Sequence, residues 1–248
     1  MFSRSHDMLR LPAIGLLWLA GAAACTASSL QVAPTSVTLS ATDSAQGIWL
    51  SNSGDVPLHA QVRAFRWHQH NGEDVLDPSD KIAISPPMLE LAPHSRQLVR
   101  IIRLDAAPSG NEQTYRILVD ELPTKDKDEA TNSNSGLQFI LRYSLPIFVT
   151  PIGKVTPVLH ARLVRDGATQ SLEVVNQGSG HAQVVDLDFV ASDGRHLPIS
   201  NGLAGYILPG QHRRWPLTST LAHAKGTFQA KINGAPLAQS LPLDAAAP

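Results

Sequence analysis

The chain has 248 residues, with 20 Lys and Arg against 21 Asp and Glu, so its formal net charge is −1. That length holds one large or two ordinary domains, each able to bury a core. The balanced charge excludes attraction to nucleic acid or an anionic membrane as the basis of function, and the lone cysteine, Cys25, excludes an internal disulfide.

At the N-terminus, Arg4 and Arg10 precede an apolar run, Leu11 to Gly21, and then the small residues Ala22, Ala23 and Ala24. This order predicts a cleaved secretory signal peptide over residues 1–27, cut after Ala24 or Ala27. The alternative is a lipoprotein acylated at Cys25, although Ala22 stands where such a signal usually has a larger apolar residue. No later apolar run has the length of a transmembrane helix, so membrane insertion is not expected.

From Gln31 onward, short Val/Ile/Leu/Thr-rich segments alternate with Gly/Pro/Asn/Asp turns, and no window sustains a helical period. The strands expected in the first half are Val37–Leu39, Gly47–Ser51, Leu58–His68, Arg96–Leu104, Thr114–Leu122 and Leu137–Thr150. Asn52-Ser53-Gly54-Asp55 and Asn71-Gly72-Glu73-Asp74 supply turn chemistry. Thr124 to Gly136 has no apolar anchor and reads as a mobile surface loop inside a long hairpin. About seven strands per hundred residues is the pattern of an immunoglobulin-like sandwich.

The second half echoes the first. Asn52-Ser53-Gly54 followed by His59-Ala60-Gln61-Val62 returns as Asn176-Gln177-Gly178 followed by His181-Ala182-Gln183-Val184, and Leu91-Ala92-Pro93 as Leu208-Pro209-Gly210. The expected fold is therefore all-β: two immunoglobulin-like sandwiches joined at an angle, over residues 28–150 and 151–248, with the boundary near Pro151-Ile152-Gly153.

No catalytic constellation converges. His68 and His70 share a strand face, but a zinc site needs three or four ligands, so solvated histidines are expected and no metal or cofactor. Gly178-Ser179-Gly180 lacks the spacing of a nucleophile elbow. An enzyme is not expected.

The first half resembles the periplasmic pilus chaperones of the PapD-like family. The resemblance rests on the Asn52–Gly54 turn, Gln61-Val62-Arg63, Trp67, Pro86-Pro87, Leu91-Ala92-Pro93, Val99-Arg100-Ile101, Glu112, Asp120-Glu121-Leu122-Pro123 and Leu137–Pro151. It implies a periplasmic protein whose partners are pilus subunits and an outer-membrane usher. It also implies donor-strand complementation, in which the chaperone lends its last first-domain strand to an incomplete subunit sandwich. Leu137, Phe139 and Leu141 are the expected donor side chains. Leu137 to Phe148 carries more apolar residues than one face of one domain needs, which fits a strand feeding two cores.

The better-known branch of that family grips the subunit's C-terminal carboxylate with an Arg and a Lys. Those positions hold Ser36 and Pro146 here, and Gly47–Leu50 and Arg142–Phe148 resemble the archaic branch instead. Arg116 and Arg142 are the expected anchor, with Arg100 and Arg103 as the next choice; the alternative for Arg100 and Arg116 is burial beside acids such as Glu112. Pairing Leu122 with Leu137 would set Arg116 opposite Tyr143, so Arg142 would need a bulge or a one-residue slip to join it. The competing function is an exported immunoglobulin-like adhesin or fibre subunit, which should carry an N-terminal extension of alternating apolar residues.

Overall fold

The computed structural model describes residues 29–123, 140–167, 169–218 and 225–243. Its elements are all strands. In the first half they are β1 (Leu30–Ala33), β2 (Val37–Leu39), β3 (Ala45–Asn52), β4 (Leu58–His70), β5 (Glu73–Pro78), β6 (Ile82–Ser85), β7 (Met88–Leu91), β8 (Arg96–Arg103), β9 (Gln113–Leu122) and β10 (Arg142–Val149). The second half has β11 (Leu159–Asp166), β12 (Thr169–Asn176), β13 (Ala182–Ala191), β14 (His196–Ile207), β15 (His212–Leu217), β16 (Gly226–Ile232) and β17 (Gln239–Leu241).

Strands β1–β3–β8–β6 form one sheet of the first sandwich, and β2–β10–β9–β4–β5, with β7 on β4, form the other. The second sandwich packs β11–β12–β15 against β14–β13–β16–β17. Because side chains alternate faces, each strand gives every second residue to its core. In β3 these are Ile48 and Leu50, in β9 Tyr115, Ile117 and Val119, and in β10 Leu145, Ile147 and Val149. The second core is built likewise around Leu172, Val174, Phe189, Trp215 and Phe228. The turn expected at residues 71–74 is tighter than the sequence implied. Asn71 and Gly72 both take positive φ (51° and 83°), the two-residue hairpin geometry, and Glu73 already pairs with His70.

The echo between the halves is a duplicated structural device. Buried Asn52 donates to the carbonyls of Val56, Leu91 and Ala92, and its Oδ1 accepts from Gly54 N. Buried Asn176 donates to Gly180 and Ile207, and its Oδ1 accepts from Gly178 N and Val158 N. Each asparagine thereby satisfies backbone groups where two strands leave the core.

The sandwiches meet along a mixed apolar and polar contact. Alternation in β4 continues past Val62, but burial changes face. Leu58, Ala60 and Val62 enter the first core, whereas Trp67 and Gln69, on the opposite face, are buried by the second sandwich. Trp67 packs with Phe148, Tyr206 and Leu208. Gln69 donates to Tyr206 O (2.8 Å) and Asp74 Oδ1 (2.9 Å) and accepts from Leu208 N (3.0 Å). Glu112 donates its backbone N–H to Ser179 O, and its carboxylate accepts from His181 N and meets His181 Nδ1 at 2.8 Å. The His181 ring stacks on Phe148 at 3.5 Å. Glu112 thus pairs across the domain contact and not with Arg100 or Arg116.

Candidate binding cleft

One edge of β10 is unfilled. On one side β10 pairs antiparallel with β9 along its whole length, but on the other β2 covers only Ile147–Val149. Leu141 O accepts from Glu121 N, so the odd-numbered residues of β10 exchange hydrogen bonds with β9 and the even-numbered ones turn their backbone groups outward. Thr150 N follows this rule by donating to Leu39 O. Among the described residues, nothing pairs with the outward N–H of Arg142 or Ser144. Pro146, which has no N–H, falls at an outward position, so its missing donor costs the β9 ladder nothing.

The register corrects the sequence expectation. Arg142 lies opposite Asp120, and Arg116 opposite Pro146 rather than Tyr143. The shift from the expected pairing is three residues, an odd number, so Arg116 and Arg142 share a face without a bulge. Four positions, roughly 13 Å of strand at about 3.3 Å per residue, still separate the two levels.

That shared face lines the cleft, and the two arginines are held very differently. Asp120, nearly buried, accepts from Arg63 Nη2 (2.7 Å) and from Arg142 Nε. Burial pushes the Asp120 carboxyl up, but the bonds and charges of Arg63 and Arg142 outweigh it and hold it below its ordinary value. Arg142 is therefore already paired with an acid. Together with Gln61, Arg63, Leu122, Ile140 and Leu141 it lines an open pocket of about 390 Å³.

Arg116 lies flat on Trp67, its guanidinium carbon 3.9 Å from the ring centroid, and 5.4 Å from that of Tyr206. Its acid partner, Asp74, is 3.7 Å away, and only 14% of the Arg116 side chain is exposed. Burial lowers its proton affinity; Asp74 and Tyr206 raise it; Arg213, from the second sandwich, lowers it again. Arg213 approaches across Gly205, where a Cβ would meet its Nε at 2.6 Å. Arg116 thus faces the cleft with an incompletely neutralised charge.

The β2–β10 register runs parallel from Val37 opposite Ile147, so Ser36 stands one step before it, at the level of Pro146. Ser36, Pro146 and Arg116 therefore lie at one level across three adjacent chain segments. Arg100 is exposed on the other sheet, and Arg103 donates to the carbonyls of Ser40 and Ala41, so neither fallback reaches the cleft.

Leu141 is half-buried against the first core and Ile140 is 57% exposed, while Leu137 and Phe139 lie outside the described residues, as does the Thr124–Gly136 segment. The apolar excess in β10 has a further cause that the sequence reading missed. Phe148 is buried in the domain contact, against Trp67, Tyr206 and His181. His68 meets Asp77 at 3.4 Å.

Two sandwiches that share a cleft, one wall of it ending in an unpaired strand edge, define a binding protein for extended polypeptide. The family described as "Pili and flagellar-assembly chaperone, PapD N-terminal domain" matches residues 29–154, just over half of the chain. The chain belongs to that family: it is a pilus-assembly chaperone, and the family is one of chaperones and not of enzymes. No curated protein matches it by sequence. Among solved structures, it is similar to one of the CsuC–CsuE chaperone–tip subunit pre-assembly complex from the archaic chaperone-usher Csu pili of Acinetobacter baumannii. The identity is 21% and the TM-score 0.68, covering 87% of this chain and 98% of that one. The E. coli chaperone DraB aligns at 19% identity and TM-score 0.61 (88% and 97% covered). The Salmonella enterica SafA pilin–SafB chaperone complex aligns at 15% and 0.60 (84% and 91%). These likenesses carry the two-sandwich, immunoglobulin-like architecture.

Proposed function

We propose that the chaperone holds a pilus subunit in the cleft by adding β10 and the residues just before it to the subunit's incomplete sheet. The observation that carries this reading is the bare edge at Arg142 and Ser144, whose outward backbone groups offer a ready ladder for another strand. Leu137, Phe139 and Leu141 are the donor side chains: by sequence they continue the odd-numbered apolar series of Leu145, Ile147 and Val149. Three such side chains contribute about 5–9 kcal/mol if fully buried, an upper estimate.

Arg116 is the main anchor for the subunit's terminal carboxylate. It stands beside Pro146, so the cation has moved one strand inward from the positions held by Ser36 and Pro146. Arg142, tied to Asp120, is secondary. This arrangement, with the likeness to a complex from archaic pili, supports placement in the archaic branch. Residues 1–27 are removed on export to the periplasm, and the loaded chaperone delivers its subunit to an outer-membrane usher. The domains are residues 28–150 and 151–248.

Co-expression with a pilus subunit tests the donor strand. Leu137→Ser with Phe139→Ser should abolish subunit recovery from periplasm while the chaperone's own melting temperature stays put. Recovery at wild-type yield would remove these residues from the donor strand.

A further inference from the structure

Two carboxylates in this molecule are each flanked by a pair of arginines. Asp120 lies between Arg63 and Arg142 on the first sandwich, and Glu173 between Arg162 and Arg214 on the second. In each triplet the shared acid is nearly buried and both guanidiniums bond to it. A common carboxylate is what lets two like charges sit close together in a partly dry place.

A third pair of arginines converges where the sandwiches meet, one from each domain. Arg116 lies on Trp67 with its side chain 14% exposed. Arg213 is half-buried on β15, opposite Val174, and has the parity of Trp215 and Leu217, which enter the second core. Its guanidinium is laid across Gly205, where an added Cβ would meet Nε at 2.6 Å and Cζ at 2.8 Å. Gly205 also has φ of 136°, so both its backbone and its lack of a side chain suit this crossing. The next residue, Tyr206, sets its ring centroid 5.4 Å from the Arg116 guanidinium carbon. The charge of Arg213 reaches Arg116 and lowers its proton affinity.

Among the described residues, no side-chain carboxylate stands between these two as Asp120 and Glu173 stand between theirs, and Arg213 forms no ion pair. Asp74 serves Arg116 alone, at 3.7 Å; it is 38% exposed and also accepts from Gln69. The Arg116 bond to Ser144 O is long, at 3.5 Å. Two cations against one acid leave one positive charge, the complement of a single carboxylate.

We propose that Arg213 is the second anchor cation. The subunit's terminal carboxylate takes the place between Arg116 and Arg213 that Asp120 and Glu173 take between their own arginines. The inference rests on the function proposed above and adds that the anchor is built from both sandwiches. A carboxylate there turns repulsion between the domains into a bridge, so holding a subunit also draws the sandwiches together.

The test is calorimetric titration with a peptide copying the last strand of a pilus subunit, made as the free acid and as the C-terminal amide. Wild type should prefer the free acid at least tenfold, and Arg213→Gln should cut that preference at least fivefold. Arg213→Glu brings its own carboxylate to Arg116, so it should abolish the preference while melting no lower than wild type. The free acid, and not the amide, should narrow the spread of interdomain distances in small-angle scattering, and Arg213→Gln should remove that narrowing. A preference unchanged in Arg213→Gln or Arg213→Glu would overturn the proposal, as would scattering that responds alike to both peptides. Loss of the preference in Arg116→Gln but not in Arg213→Gln overturns this inference alone. A wild-type chaperone that binds both peptides equally overturns the carboxylate anchor with it, and one that binds neither overturns strand lending too.

Discussion

Gln69→Leu keeps the side-chain volume and removes three hydrogen bonds, two of which tie the sandwiches together. Two of its partners are backbone groups, Tyr206 C=O and Leu208 N–H, on residues only 7% and 3% exposed. A buried polar group left unpaired costs about 1–3 kcal/mol, so the pair sums to about 2–6 kcal/mol, set against a total stability of roughly 5–15 kcal/mol for an ordinary domain. The loss falls on the domain contact and not on either core. Urea denaturation should therefore show the midpoint falling and one transition broadening toward two, and small-angle scattering should show a wider spread of interdomain distances. Gln69→Glu is the informative companion. It can still accept from Leu208 N–H, but at neutral pH it sets a carboxylate against the Tyr206 carbonyl and Asp74, so it should be no milder than the Leu variant and should recover partly on acidification. A Gln69→Leu protein within about 0.5 kcal/mol of wild type, the range of an ordinary surface change, with unchanged scattering, would refute the claim that this side chain fixes the cleft.

Arg116→Ala should weaken subunit capture tenfold or more, since a charge-assisted contact contributes roughly 1.5–3 kcal/mol. Arg142→Ala should cost less, and an equal or reversed ranking in a titration with purified subunit would move the anchor. Asp120 and Glu173 are both pushed up by burial, but the arginines bonded to each outweigh this and leave both carboxyls lowered. A lowered carboxyl contributes stability that is complete above its unfolded pKa, near 4, and is lost as pH falls through the folded value. Stability should therefore decline below about pH 4–5, and Asp120→Asn with Glu173→Gln should flatten that decline; an unchanged slope in urea melts across pH 3–6 would contradict it.

The alternation of Ile48, Leu50, Ile117 and Val119, and the repeated Asn-x-Gly turns, are local signals, and they carried the all-β, two-sandwich reading unaided. Arg116 was legible as a candidate because the positions of Ser36 and Pro146 lacked cations. The β9–β10 register was not legible, because turn-forming residues are spread along the connecting sequence, Thr124 to Gly136, and single out no one turn that would dictate a pairing. The domain contact was hidden for another reason. Trp67 and Gln69 occupy the face of β4 that alternation assigns to the outside, and only the second sandwich turns that outside into an interior. The sequence drew attention to His68 and His70, while the residue between them makes the domain contact.

The most direct test of strand lending is amide hydrogen exchange in β10, free and with a bound pilus subunit. In the free chaperone the amides of Arg142 and Ser144 face the bare edge and should exchange quickly, while those of Tyr143 and Leu145, bonded to β9, should be protected. Binding should protect Arg142 and Ser144 by at least a hundredfold and leave Tyr143 and Leu145 nearly unchanged. A stable complex in which Ser144 exchanges as fast as in the free protein would contradict the account.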